Sequence, residues 1–166
     1  MILAIDPGRR TGWALCSPTG IESGVLNPDT KVGLQRAQEL VQRADEVVIE
    51  SMGYVARGAR YDTIFGLARH ASVFEVLARL QDKPVVWVHP NTWQKAMLHV
   101  GRRNPGRDML KRLSMARARA LVGHEVGADE ADAILLSVFV ATLERNGTRN
   151  RTGHPFRLPL DARTAP

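Results

Sequence analysis

The chain has a single cysteine, Cys16, among 166 residues. No intramolecular disulfide framework and no cysteine-rich zinc site can be built from it, and the expected setting is a reducing cytoplasm. Aromatic residues make up only 5% of the sequence, and lysine is scarce, 4 residues against 19 arginines. Arginine suits bidentate phosphate contacts, although a base-composition preference in the genome produces the same bias. Long apolar runs are also missing. The longest, Ala133 to Ala141, has nine residues with a serine inside, which is too short to cross a bilayer. The N-terminus lacks the charged-then-apolar order of a secretory leader, so no membrane association is expected. What remains is 44% hydrophobic and 24% charged content, the make-up of one globular domain with a core.

The basic excess is unevenly placed. Met1 to Gln94 carries 10 basic and 10 acidic residues, whereas Lys95 to Pro166 carries 13 against 7, so the whole net charge of +6 sits in the second part. Arg102, Arg103, Arg107, Lys111, Arg112, Arg117 and Arg119 fall within one stretch that holds a single acid, Asp108. Such a block attracts polyanions, and it is also what a solvated helix face looks like.

Apolar runs and breakers give the order of elements. MILAID, ending at Asp6 before Pro-Gly, reads as a buried strand; Thr11 to Ser17 and Ile21 to Leu26 follow it too closely for crossovers, which implies an antiparallel meander. Lys31 to Ala44 has helical spacing, and EVVIE (46–50) is a fourth strand ending at an acid. Ser51 to Asp62 has glycine and arginine but no period, and reads as a mobile loop. Thr63 to Gln81 is apolar all round, as in a helix buried by several neighbours or packed on another copy of the chain. PVVWVH (84–89) is a fifth strand. A short helix capped by Asn91 or Thr92 runs to Leu98, a basic amphipathic helix spans Asp108 to Val122, and a last helix spans Asp129 to Arg145 with Ala133, Leu136 and Val140 on its apolar face. The fold expected is one α/β domain over 1–146, a mixed five-stranded sheet of three antiparallel then two parallel strands with helices on both faces. A flexible basic tail, 147–166, follows it.

Four acids have the placement of a site. Asp6 and Glu50 end apolar strands, and strand ends in open α/β sheets line ligand crevices. Asp129 and Asp132, three apart at the head of the last helix, share a face, while Glu130 is turned about 100° away toward solvent. Four carboxylates in one cleft repel unless a cation joins them. Oxygen-only donors suit Mg²⁺ or Mn²⁺, and two such ions can drive phosphodiester hydrolysis. Each acid alone also has a structural explanation: Asp6 shaping a turn, Glu50 closing a strand, Asp129 capping a helix and Asp132 meeting its dipole. The histidines His89, His99 and His124 lack pairing with one another or with a carboxylate set. Trp13 and Trp87 read as core on strands, Trp93 as a cover over the core, Cys16 as a small buried residue, and Met52 as packing or a DNA contact.

In this order, ILAIDPGRRTGWAL, VVIES, FGLARHASVFEVLARL, HPNTWQKAMLHVGRR and GADEADAILLSVFVA resemble the RuvC-type Holliday junction resolvases over about residues 1–146. The resemblance implies an RNase H-like fold and a homodimer through the helix 63–81. It implies symmetric paired nicking of four-way DNA junctions with two Mg²⁺ or Mn²⁺ ions per active site, by direct attack of an activated water. Asp6, Glu50, Asp129 and Asp132 match the family's metal-binding catalytic acids; some members have histidine where Asp129 stands. Lys111, with Arg107 and Arg112 beside it, matches the basic residues that hold the scissile phosphate. Arg57, Arg60, Arg102 and Arg103 are further candidate DNA contacts. Where some members carry a junction-opening aromatic, this chain has Gly53, which leaves Tyr54 as the candidate wedge. Other functions to weigh are a broader branched-DNA or flap nuclease, a junction-binding module that does not cut, and a sugar-kinase-type ATPase. The last needs two such domains to enclose its nucleotide, and the chain is too short for both.

Overall fold

The computed structural model describes residues 1–52, 61–100, 105–145 and 147. Among them run β1 (Ile2–Asp6), β2 (Thr11–Ser17), β3 (Gly20–Leu26), α1 (Lys31–Arg43), β4 (Glu46–Glu50), α2 (Tyr61–Arg79), β5 (Val85–Val88), α3 (Pro90–Leu98), α4 (Arg107–Val122) and α5 (Ala128–Arg145). The strands form one sheet in the order β3-β2-β1-β4-β5, with β1–β2 and β2–β3 antiparallel and β1–β4 and β4–β5 parallel. No described helix is long and apolar enough to cross a membrane.

Strand parity divides the core into two layers. Ile2, Ala4, Ala14 and Val48 face α5 with Trp93, Ala118 and the α5 side chains. Leu3, Ile5, Trp13, Leu15, Val47 and Ile49 face Ala37, Leu40 and Val41 of α1 and Ala71, Phe74 and Ala78 of α2. The central strands β1 and β4 are apolar on both faces because both faces are covered. Helix α5 lies over β1 and β2 and also packs on α3 and α4. Its buried surface is therefore wider than the stripe 133/136/140 and takes in Ala131, Ile134, Leu135 and Phe139.

Several boundaries and burials differ from expectation. Helix α2 begins at Tyr61, inside the segment read as a loop, and the Tyr61 and Phe65 rings meet one turn apart at 5.1 Å. The rest of that segment, 53–60, lies outside the described residues. Helix α3 is capped by His89, whose Nδ1 accepts from the Asn91 amide at 3.2 Å, and not by Asn91 or Thr92. Pro90 then fits the first helical position, where its missing N–H costs nothing. Trp87 is 39% exposed, on β5 at the edge of the sheet. Cys16 is half-buried, and Met52 is exposed. Helix α2 buries His70, Ala71, Phe74 and Ala78, yet leaves Phe65 63% and Val76 54% exposed, with Leu80 exposed just past its end.

Candidate active site

The parallel register brings the two strand-end acids together. Ile5 pairs with Ile49, so Asp6 and Glu50, one residue further on, end adjacent strands at the same edge. Both have the parity of Ala4 and Val48, which places them on the α5 face. Opposite Asp6 on β2 is Gly12, and it admits the start of α5: a β-carbon there would lie 1.8 Å from the Asp129 carbonyl oxygen. A side chain on β2 would push the head of α5 off the sheet; glycine lets Asp129 and Asp132 reach Asp6 and Glu50.

The electrostatics record this convergence. Burial, then the charges of Glu50, Asp132 and Asp129, raise the Asp6 pKa well above the usual carboxylate range, while Lys111 opposes them. Burial pushes Glu50 up to about 7 against a hydrogen bond from Trp93. Burial likewise pushes Asp132 to about 6, with the Ser114 hydroxyl and Lys111 working the other way. Asp6, Glu50 and Asp132 thus share one buried cleft and repel one another, with the Asp129 side chain at its more exposed side.

Two contacts define how the carboxylates are held. The Trp93 indole Nε1 donates to Glu50 Oε2 at 2.6 Å, and Arg10 Nε lies 3.5 Å from Asp129 Oδ2. Among the described residues no three ligand-type side chains already surround one point at metal-binding distance. The donor set nonetheless fits a hard cation. All four groups offer oxygen, and among the described residues the buried Asp132 Oδ1 has no hydrogen-bond partner. A divalent cation answers both the orphaned oxygen and the mutual repulsion.

Of the other residues singled out from the sequence, Arg107, Lys111 and Arg112 are exposed on the first turns of α4, with Lys111 close enough to act on Asp6 and Asp132. Tyr54, Arg57, Arg60, Arg102 and Arg103 lie outside the described residues. Glu130 does not face open solvent: it is half-buried and accepts from the Ser23 hydroxyl at 2.8 Å, because α5 crosses the sheet toward β3. The Trp93 contact, the buried Ser114 beside Asp132, the Gly12 approach and Arg10 escape sequence reading. They depend on how distant elements meet, and the Thr-Gly after DPGRR is the one local hint. His89 is spent as a helix cap, His99 takes a left-handed turn after α3, and His124 rests on the Val122 carbonyl.

No protein-family model matches the chain, and no curated protein matches it at a significant level. Solved structures do. Thermus thermophilus RuvC in complex with a Holliday junction substrate superposes with a TM-score of 0.62 at 18% identity, over 89% of this chain and 96% of that one. A second structure of Thermus thermophilus RuvC gives 0.58 at 18% identity over the same shares. The chain has the RNase H-like fold of these proteins, with three antiparallel and two parallel strands in one sheet.

Proposed function

We propose that the chain is a divalent-metal-dependent endonuclease that resolves four-way DNA junctions by paired, symmetric nicks. The observation that carries this reading is the convergence of Asp6, Glu50, Asp129 and Asp132, from two strand ends and one helix, within reach of Lys111. The likeness to a protein solved on a Holliday junction supports the choice of substrate.

In this reading the four acids hold two Mg²⁺ or Mn²⁺ ions. Bound there, the ions supply the Lewis acidity that lowers the pKa of an attacking water and balances charge on the leaving oxygen. Burial of Glu50 and Asp132 keeps competing water away and strengthens every charge interaction in the cleft. Lys111, an ammonium on the rim, contacts the scissile phosphate, while Arg107 and Arg112 extend the cationic rim along α4 for flanking phosphates. Tyr54, Arg57, Arg60, Arg102 and Arg103 are assigned to DNA contact on sequence grounds alone.

Residues 1–146 form the nuclease domain of a cytoplasmic protein, with 147–166 as a basic tail. Two copies join through α2, whose exposed Tyr61, Phe65 and Val76, with Leu80 just past its end, are the apolar side chains such an interface would cover. Two active sites related by a two-fold axis account for symmetric cutting. The direct test compares cleavage of an immobile four-way junction, a flap and a plain duplex in Mg²⁺. Junction cleavage far above the other two is expected. Equal cutting of junction and flap assigns a broader branched-DNA nuclease, and retention of the junction without nicks assigns a binding module.

A further inference from the structure

We propose that Trp93 is a positioning residue for Glu50, fixing the carboxylate through its indole N–H so that the remaining lone pairs are presented to metal. This rests on the metal-site reading above and adds a residue to it. Indole has one donor and no acceptor, so it can orient a carboxylate but cannot ligate the ion itself.

The chain around Trp93 leaves the contact little freedom. Val88 pairs with Glu50 across β4–β5, and the Ser51 amide donates to the Val88 carbonyl at 2.8 Å just beyond. Only His89 separates β5 from Pro90. The His89 ring caps the first turn of α3, and proline restricts its backbone. Trp93 follows one turn later and is wholly buried in the layer beneath α5. The indole is thus fixed by packing on its ring and by a short capped connection to the strand that pairs with Glu50. Its bond to Oε2 is 2.6 Å long, and it becomes charge-assisted when the carboxylate is ionised. A tryptophan that served only as filler could be replaced by phenylalanine with no consequence for the carboxylate. A partner that orients a ligand carries typically 10- to 100-fold in metal affinity.

The test uses the full-length protein with Mn²⁺ as the probe. Mn²⁺ uptake by calorimetry, with no DNA present, is compared between wild type and Trp93→Phe, and between Glu50→Gln and the double variant. Affinity at least about 10-fold weaker in Trp93→Phe is expected. The Mn²⁺ midpoint for nicking should rise by the same factor, and the substitution should have no further effect once Glu50 is Gln. Wild-type affinity in Trp93→Phe overturns the inference alone. A wild-type protein that takes up no Mn²⁺ overturns the metal-site reading and this inference with it. A second measurement does not need Trp93→Phe to fold: the Trp93 indole proton, assigned by elimination with Trp13→Phe and Trp87→Phe, is followed by NMR during Mg²⁺ titration. Its resonance should move in wild type and stay fixed in Glu50→Gln. A Trp93 resonance indifferent to Mg²⁺ overturns the inference.

Discussion

Replacing Gly12 by alanine tests whether the site depends on how closely α5 approaches the sheet. The added methyl would sit 1.8 Å from the Asp129 carbonyl oxygen and 2.4 Å from its carbonyl carbon, both backbone atoms. Ordinary contact begins near 3.4 Å, so the head of α5 must retreat by about 1.6 Å or β2 must bend by as much. Overpacking of this size costs about 1–3 kcal/mol, a fall in Tm of roughly 2–12 °C for a domain of this size. The remainder of α5 stays anchored in the core by Ile134, Leu135, Leu136 and Phe139, so the fold should survive. Asp129 and Asp132 would not keep their places, and a misplacement near 1 Å at a reacting centre costs on the order of 100-fold. Thermal melting, Mn²⁺ calorimetry and junction nicking measure the three consequences. A modest fall in Tm is expected, with nicking reduced by roughly 100-fold and Mn²⁺ affinity by roughly 10- to 100-fold. Wild-type Mn²⁺ affinity and nicking in a folded Gly12→Ala protein would refute the argument that this glycine sets the site.

The stability of the metal-free protein should fall as pH rises from about 4 to 7, because the folded pKa of Glu50 (about 7) and of Asp132 (about 6) lie above their unfolded values and Asp6 is raised as well. The folded state then binds more protons than the unfolded one across that window, and Glu50 alone accounts for about 3 kcal/mol. Urea melts at pH 5 and pH 8 check this; Glu50→Gln should flatten the slope, and Mn²⁺ should stabilise more at pH 8 than at pH 5. Lys111→Glu or Arg112→Glu should weaken junction binding and reduce the salt slope by roughly 0.9 per lost phosphate contact; an unchanged slope in a retardation series would take these residues off the DNA surface. Leu80→Glu, at an exposed position just past the end of α2, should turn the proposed dimer into a monomer by light scattering while leaving Tm near wild type, and a dimer that persists would move the interface elsewhere.

Much of the fold is written locally. The runs ILAID, TGWALCS and EVVIE become β1, β2 and β4 with bounds close to those expected, because each is apolar enough to be buried and is closed by a polar residue. The acids were legible for the same reason: a carboxylate ending a buried strand, and a pair three apart on a helix, stand out against their surroundings. What could not be read depends on contacts between distant segments. Trp93 and Glu50 meet only because β4 and β5 pair in parallel and α3 folds back over the edge. Glu130 obeys its 100° rotation, yet it points at Ser23 on β3 and not into water, since α5 crosses the sheet. Trp87 has the composition of a core residue but belongs to an edge strand, a position that its own sequence does not encode. His70 is buried against Asp29 at 3.2 Å, another pairing across two separate segments that no local pattern announces.

In the proposed function the four carboxylates form one metal-dependent site for cutting junction DNA. It is tested most directly by nicking of an end-labelled immobile four-way junction, with and without Mg²⁺, by wild type and by Asp6→Asn. Paired symmetric nicks that require both Mg²⁺ and Asp6 are expected, with junction binding retained in the variant because the role proposed for Asp6 is to hold metal and not phosphate. Tight junction binding with no nicks in Mg²⁺ or Mn²⁺, or nicking undiminished in Asp6→Asn, would contradict it.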